Sequence, residues 1–140
     1  MTMTLEEVKA FLDREFPQIH LSGQVYFIEE VGARMARMRL DAGERHLRPG
    51  GTVSGPAMME LTDLTMYVAL LGAIGPVALA VTTSLNINFL RKPLPGPLLA
   101  DCRLIKLGKR LAVGEIALRS AGIDELVAHA TATYAIPDKK

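Results

Sequence analysis

Between His46 and Asp63 the chain gathers a histidine, a Ser54-Gly55-Pro56 triplet and two carboxylates, Glu60 and Asp63. Pro56 reads as the first turn of a helix, where the missing proline N–H does no harm. The first amides of a helix are unpaired and its dipole favours negative charge, so the amides of Gly55 and Ala57 can donate to an oxygen on which charge develops. Gly55 also lets a ligand approach that backbone closely. A carboxylate nearby can take a proton from water or attack a carbonyl carbon directly. These are the parts needed to cleave an activated carbonyl compound. Asp63 lies among Leu61, Leu64 and Met66, and apolar surroundings disfavour the charged form and make a carboxylate a better base.

Spacing limits how these parts combine. Gly55 and Asp63 are eight positions apart, about 12 Å along a helix. One carbonyl cannot touch both on the same helix. If both act on one carbonyl they come from two chains, which predicts a site shared across a homodimer. Glu60, one turn before Asp63, is the rival carboxylate.

The elements that must hold these groups can be read from periodicity. Thr4-Leu5-Glu6-Glu7 has the form of a capping box, and Leu5, Val8, Leu12 and Phe16 follow at helical spacing up to Pro17, which predicts a short N-terminal helix. Residues 24–31 and 33–40 read as two strands around Gly32, the second the weaker signal. The Gly- and Pro-crowded stretch from Asp41 to Gly55 is a loop, and Pro56 to about Ala73 is the longest helical pattern, apolar over most of its circumference and expected to be buried nearly all round. Four strands follow, at 78–90, 97–107, 110–120 and 125–136, with Thr83, Leu85, Ile87 and Phe89 alternating against Thr82, Ser84, Asn86 and Asn88. The short connections require antiparallel pairing. The layout is α+β: one buried helix wrapped by an antiparallel sheet.

Composition narrows the class. A chain of 140 residues that is 49% apolar and 22% charged fits a single folded domain over residues 1–140. Net charge is +1 with the basic residues scattered, which leaves no nucleic-acid footprint. The single Cys102 excludes an intrachain disulfide and a multi-cysteine metal site, and reads as a plain strand residue. The first residues lack a signal-peptide layout, and the apolar run Leu64 to Val81 is broken by Gly72, Gly75 and Pro76, so a cytoplasmic protein without a membrane span is expected.

One pattern joins these pieces. The run His46-Leu47-Arg48-Pro49-Gly50-Gly51-Thr52-Val53-Ser54-Gly55-Pro56, then Glu60-Leu61-Thr62-Asp63, resembles the hot-dog thioesterases of the phenylacetate-degradation type, whose text is His-Leu-Asn-x-x-Gly-x-x-His-Gly-Gly followed by Leu-x-Asp. The likeness continues through Ser84 to Arg91, Gly108 to Arg110 and Leu126 to Thr133, covering roughly residues 22 to 136. It implies a hot-dog fold and hydrolysis of acyl-CoA without a cofactor or metal. Asp63 would be general base or nucleophile, the Gly55 amide would polarise the carbonyl, and the Thr82 hydroxyl would orient water. It also implies dimers that pair into tetramers. Arg48, Ser54 and Pro56 stand where the family has Asn, His and the second Gly.

Coenzyme A carries phosphates, so basic residues are expected at the mouth of an apolar slot. Arg91 and Lys92 at a strand end and Lys109 and Arg110 in a tight turn are the candidates; Arg48 in the loop could hold an acyl carboxylate or a phosphate or brace the loop, Ser54 is a further substrate-binding candidate, and Met58 and Met59 are candidates for the acyl pocket. His20 and His129 read as structural. Two other functions fit the same fold: a hydratase or dehydratase using His46 and Glu60 at an acyl α-carbon, and a module that binds acyl-CoA without turnover.

Overall fold

The computed structural model describes residues 2–21 and 23–138. Helix α1 (Leu5–Glu15) opens on the expected capping box: the Thr4 hydroxyl accepts from the Glu7 N–H, and the Glu7 carboxylate accepts from the Thr4 N–H. It turns Val8, Phe11 and Leu12 inward and ends before Pro17, where a single 3-10 turn (Pro17–His20) begins. Phe16, expected on the buried stripe, lies past the helix end and is 38% exposed.

Strands β1 (Tyr26–Val31) and β2 (Met35–Leu40) form the first hairpin; β3 (Val81–Phe89), β4 (Leu98–Leu107), β5 (Leu111–Ser120) and β6 (Leu126–Ala135) complete the sheet. All pairings are antiparallel and the order is β1-β2-β4-β5-β6-β3. The last strands therefore follow one another except β3, which sits at an edge with only β6 beside it. Helix α2 (Gly55–Ile74) packs on the inner face of this sheet. That is the hot-dog arrangement.

Alternation along β4, β5 and β6 explains the core. Ala100, Cys102 and Leu104, then Ala112, Ile116 and Leu118, then Ala128, Ala130, Ala132 and Tyr134 all point at α2 and are buried. At Gly114 an added Cβ would lie 2.4 Å from the Met66 sulfur, so a bare backbone makes room for that side chain. By length and mean hydropathy α2 could cross a membrane, but 72% of that stretch is buried in the protein. Its two buried hydroxyls, Thr62 and Thr65, donate to the Met58 and Leu61 carbonyls at 2.7 and 2.6 Å. Gly75, at φ +97°, stops the helix where an L side chain would be strained.

Burial is not complete around α2, contrary to the sequence expectation. Pro56, Met59 and Glu60 are exposed and Asp63 is half-buried. Positions three and four apart share one helix face, so the first half of α2 carries an uncovered stripe. The outer face of the sheet is charged instead of apolar. Asp101 pairs with Arg37 and Arg119 at 2.5 and 3.6 Å, and Glu115 with Arg103 and His129 at 3.1 and 3.2 Å. His129 thus contacts Glu115 on the outer face of the sheet, and His20 lies 3.5 Å from Asp13.

Cys102 faces the core, where burial first and the charge of Glu115 second push its thiol up to about 12. Only the neutral thiol is buried, so this group stabilises the fold below its ordinary value of 9.0 and the contribution is lost as pH rises toward 12. At about pH 8 a thiol reagent is expected to leave the native protein unmodified and to titrate one thiol after denaturation. Rapid native labelling would place Cys102 elsewhere.

Candidate active site

The loop before α2 is a built turn. Leu47 and Val53 bridge across it, Gly50 and Gly51 take φ values of +101° and +82°, and the Ser54 N–H donates to the His46 carbonyl at 2.7 Å. This fixes where α2 begins. Ser54 is its N-cap, with Oγ accepting from the Ala57 N–H at 3.3 Å, so that hydroxyl is committed to the helix. The Gly55 N–H makes no hydrogen bond among the described residues. A Cβ at Gly55 would meet the Phe89 ring at 3.5 Å, an ordinary contact, so nothing in the chain itself demands glycine there.

Two turns on, the Asp63 carboxylate is held by hydroxyls, not by the apolar neighbours its sequence suggested. Oδ1 accepts from Thr82 Oγ1 at 2.5 Å and from the Tyr134 hydroxyl at 2.8 Å. The Tyr134 oxygen also lies 3.1 Å from the Asp63 carbonyl. A phenol has one hydrogen, and the carboxylate is the stronger acceptor. Burial, then the charge of Asp63, push the Tyr134 phenol above its ordinary range, so it stays a donor.

A β-bulge brings these hydroxyls together. Thr82 pairs with Tyr134 and Ser84 with Thr133, so β3 carries one extra residue, Thr83, against β6. Strict alternation with Leu85, Ile87 and Phe89 would put Thr82 on the outer face. The bulge shifts it by one position into phase with Tyr134, on the helix side.

Asp63 forms part of the wall of a cavity of about 710 Å³ between the end of α1, α2 and the start of β3. Near the start of α2 it is lined by Arg45 and Glu60; Glu60 accepts from the Tyr26 hydroxyl and lies 3.7 Å from Arg45. Burial, then the bond to Glu60, raise the Tyr26 phenol. A turn beyond Asp63 the walls include aromatic rings. Phe16 meets Tyr67 edge-on at 6.2 Å between centroids, and Tyr67 stacks on Tyr134 at 6.1 Å and 27°. Leu64, Ala78 and Ala80 belong to this part. Glu15 and Gln18 also line it, so the walls mix aromatic, aliphatic and polar groups; a held carboxylate facing them can direct water at a carbonyl whose substituent packs on the rings.

The sequence model of the thioesterase superfamily matches residues 50–134, which include Gly55, Asp63, Thr82 and Tyr134. The chain belongs to the thioesterase superfamily. A provisionally assigned thioesterase from Silicibacter sp. TM1040 is 45% identical, with 97% of this chain and 93% of that one superimposing at a TM-score of 0.88. A provisionally assigned esterase from Saccharolobus solfataricus is 30% identical over 108 residues, 77% of this chain and 71% of that protein. The PaaI protein of the E. coli phenylacetic acid degradation operon shares the fold, at 18% identity, TM-score 0.80, and 96% and 94% coverage.

Within this thioesterase-superfamily chain the expected residues separate into two groups. Asp63 and Thr82 meet, while Gly55 stands at the head of the same helix. Arg48, Met59, Arg91, Lys92, Lys109 and Arg110 are exposed and none lines the cavity. Arg91 is engaged within the chain, through Glu125 at 2.9 Å and the Leu126 carbonyl at 2.9 Å. Met58 is core and Met59 points outward, so the apolar wall is aromatic and not built from methionine. His46 is buried, its Nδ1 accepting from the Gly43 N–H at 2.8 Å, and Glu60 is tied to Tyr26. His46 Nε2 is buried without a hydrogen-bond partner among the described residues. Tyr134, Tyr67 and Arg45 went unnoticed in the sequence. The one available signal was a tyrosine closing the row Ala128, Ala130, Ala132 on the core face of β6.

Proposed function

We propose that the chain hydrolyses acyl-CoA thioesters to free acid and CoA in the cytoplasm, with Asp63 as general base or nucleophile. The observation that carries this is the Asp63 carboxylate, held by two hydroxyls at the wall of a cavity that also has aromatic and aliphatic side chains. The Gly55 amide of a second copy would polarise the carbonyl. The separation of Gly55 and Asp63 along unbroken α2 supports two chains per site, because about 12 Å is too far for one thioester carbonyl.

Two features support pairing of copies. Strand β3 has an unpaired edge, and unpaired edges are managed by covering or by pairing. The surface beside it exposes Met59, Val81, Phe89 and Leu90, at 40%, 56%, 48% and 54%. Further pairing into tetramers would use another face. Lys92, Lys109, Arg110 and Arg48 are exposed cations available to the CoA phosphates once a second chain completes the slot.

The test is release of free thiol from short, aromatic and long acyl-CoAs, alongside Glu60→Gln. Wild type is expected to release CoA from at least one class. Glu60→Gln is expected to retain kcat within about threefold, because Glu60 is already engaged by Tyr26 and Arg45, and a Gln oxygen can still accept from the tyrosine. Binding of acyl-CoA without thiol release would overturn the hydrolase reading in favour of a binding module. Loss of activity in Glu60→Gln with Asp63→Asn still active would move the base to Glu60.

A further inference from the structure

We propose that Tyr134 is a positioning residue for Asp63: together with Thr82 it pins Oδ1, fixing the carboxylate so that Oδ2 alone is presented to water or to the carbonyl carbon. The inference rests on the hydrolase reading and deepens it. Neither the spacing of the motif nor the family match assigns this tyrosine a role.

An aspartate side chain has three staggered χ1 wells and a soft χ2, so a half-buried one on a helix face is not held by its backbone alone. A reacting carboxylate must be held within about 0.5 Å, which takes supporting groups that are themselves locked. Tyr134 is such a group. It is 4% exposed, its ring stacks on Tyr67, and its backbone lies in β6 between β5 and β3. Its hydroxyl reaches Oδ1 from the floor of the cavity at 2.8 Å while Thr82 reaches the same oxygen from the bulged end of β3 at 2.5 Å.

The two hydroxyls are not equivalent. Thr82 is exposed to the cavity, and a hydroxyl that has donated its hydrogen keeps lone pairs that can accept one from water. A water between Thr82 Oγ1 and Asp63 Oδ2 would then be aligned by one and deprotonated by the other. Tyr134 lies beneath, buried, and donates to the carboxylate. The other charged or titratable groups lining the cavity around Asp63 are Glu60 and Tyr67 on α2, Arg45 from the loop and Glu15 from α1.

Tyr134→Phe keeps the ring and its stacking and removes one oxygen. Loss of one hydrogen bond to a charged group is expected to lower kcat about tenfold, with KM changed less than about twofold. On an Asp63→Asn background Tyr134→Phe should cost nothing further. A tyrosine that merely fills space would lower Tm and leave the kcat of the folded protein unchanged. An unchanged kcat, corrected for folded fraction, overturns the proposal. A crystal structure of Tyr134→Phe gives a readout independent of turnover. Asp63 spread over more than one rotamer supports the proposal; a single unchanged rotamer held by Thr82 contradicts it. Should wild type hydrolyse no acyl-CoA, the hydrolase reading falls and the rotamer result alone decides whether Tyr134 positions Asp63.

Discussion

Asp63→Asn is expected to lower kcat for acyl-CoA hydrolysis by about 10³-fold, within the range for removal of a positioned proton acceptor, while Tm stays near wild type. The second half follows from the geometry. The Asn side-chain oxygen can accept from Thr82 and Tyr134 as the carboxylate does, so no buried donor is orphaned and the helix face keeps its shape. Only basicity and nucleophilicity are removed. Free-thiol release measured beside a thermal melt separates these effects. An Asn variant running at wild-type rate would take the reaction away from Asp63, whereas a variant that melts early would give the carboxylate a structural role.

Mixing two inactive proteins is expected to restore turnover. Gly55→Pro deletes the amide hydrogen at the first helical position, where proline's φ is accommodated, and Asp63→Asn deletes the base. In a two-fold dimer whose sites each take Asp63 from one chain and Gly55 from the other, a mixed dimer holds one doubly damaged site and one intact site. Random exchange makes half the dimers mixed, so the mixture should reach about a quarter of wild-type activity per chain. If both groups acted within one chain, no intact site could arise and the mixture would stay inactive. Unfolding and refolding the two variants together, then assaying thiol release and sizing by light scattering, gives the answer. A fully active monomer would end the shared-site reading.

Much of the scaffold could be read before any coordinates, for definite reasons. The capping box at Thr4 and Glu7, the Pro56 helix start, and the Gly75-Pro76 stop are local signals, and each element forms within a few residues of where they put it. Asp63 stood out through its place in a motif and Thr82 through a family position that it matches; their hydrogen bond is what the structure adds. What the sequence hid is non-local. The uncovered stripe Pro56, Met59, Glu60 and Asp63 looks buried in a helix this apolar, because hydropathy does not say which face a sheet leaves open. The partners Tyr26–Glu60 and Tyr134–Asp63 join residues 34 and 71 positions apart. Arg91 looked free for a phosphate because Glu125 and the Leu126 carbonyl, which engage it, lie across the sheet. Expecting Asp63 in an apolar setting failed for the same cause: its sequence neighbours are apolar, but its spatial neighbours are hydroxyls.

The extra residue at Thr83 reaches beyond this one molecule. Thr82 faces Asp63 because the ladder skips Thr83; a continuous ladder over the same residues in the same order would turn its hydroxyl outward. A gene that lost the codon for Thr83 would therefore keep Thr82 opposite Tyr134, now in a regular strand one residue shorter. Relatives whose edge strands differ in length by one residue can share this pair, and aligning them by pairing partner, not by strand length, would reveal it.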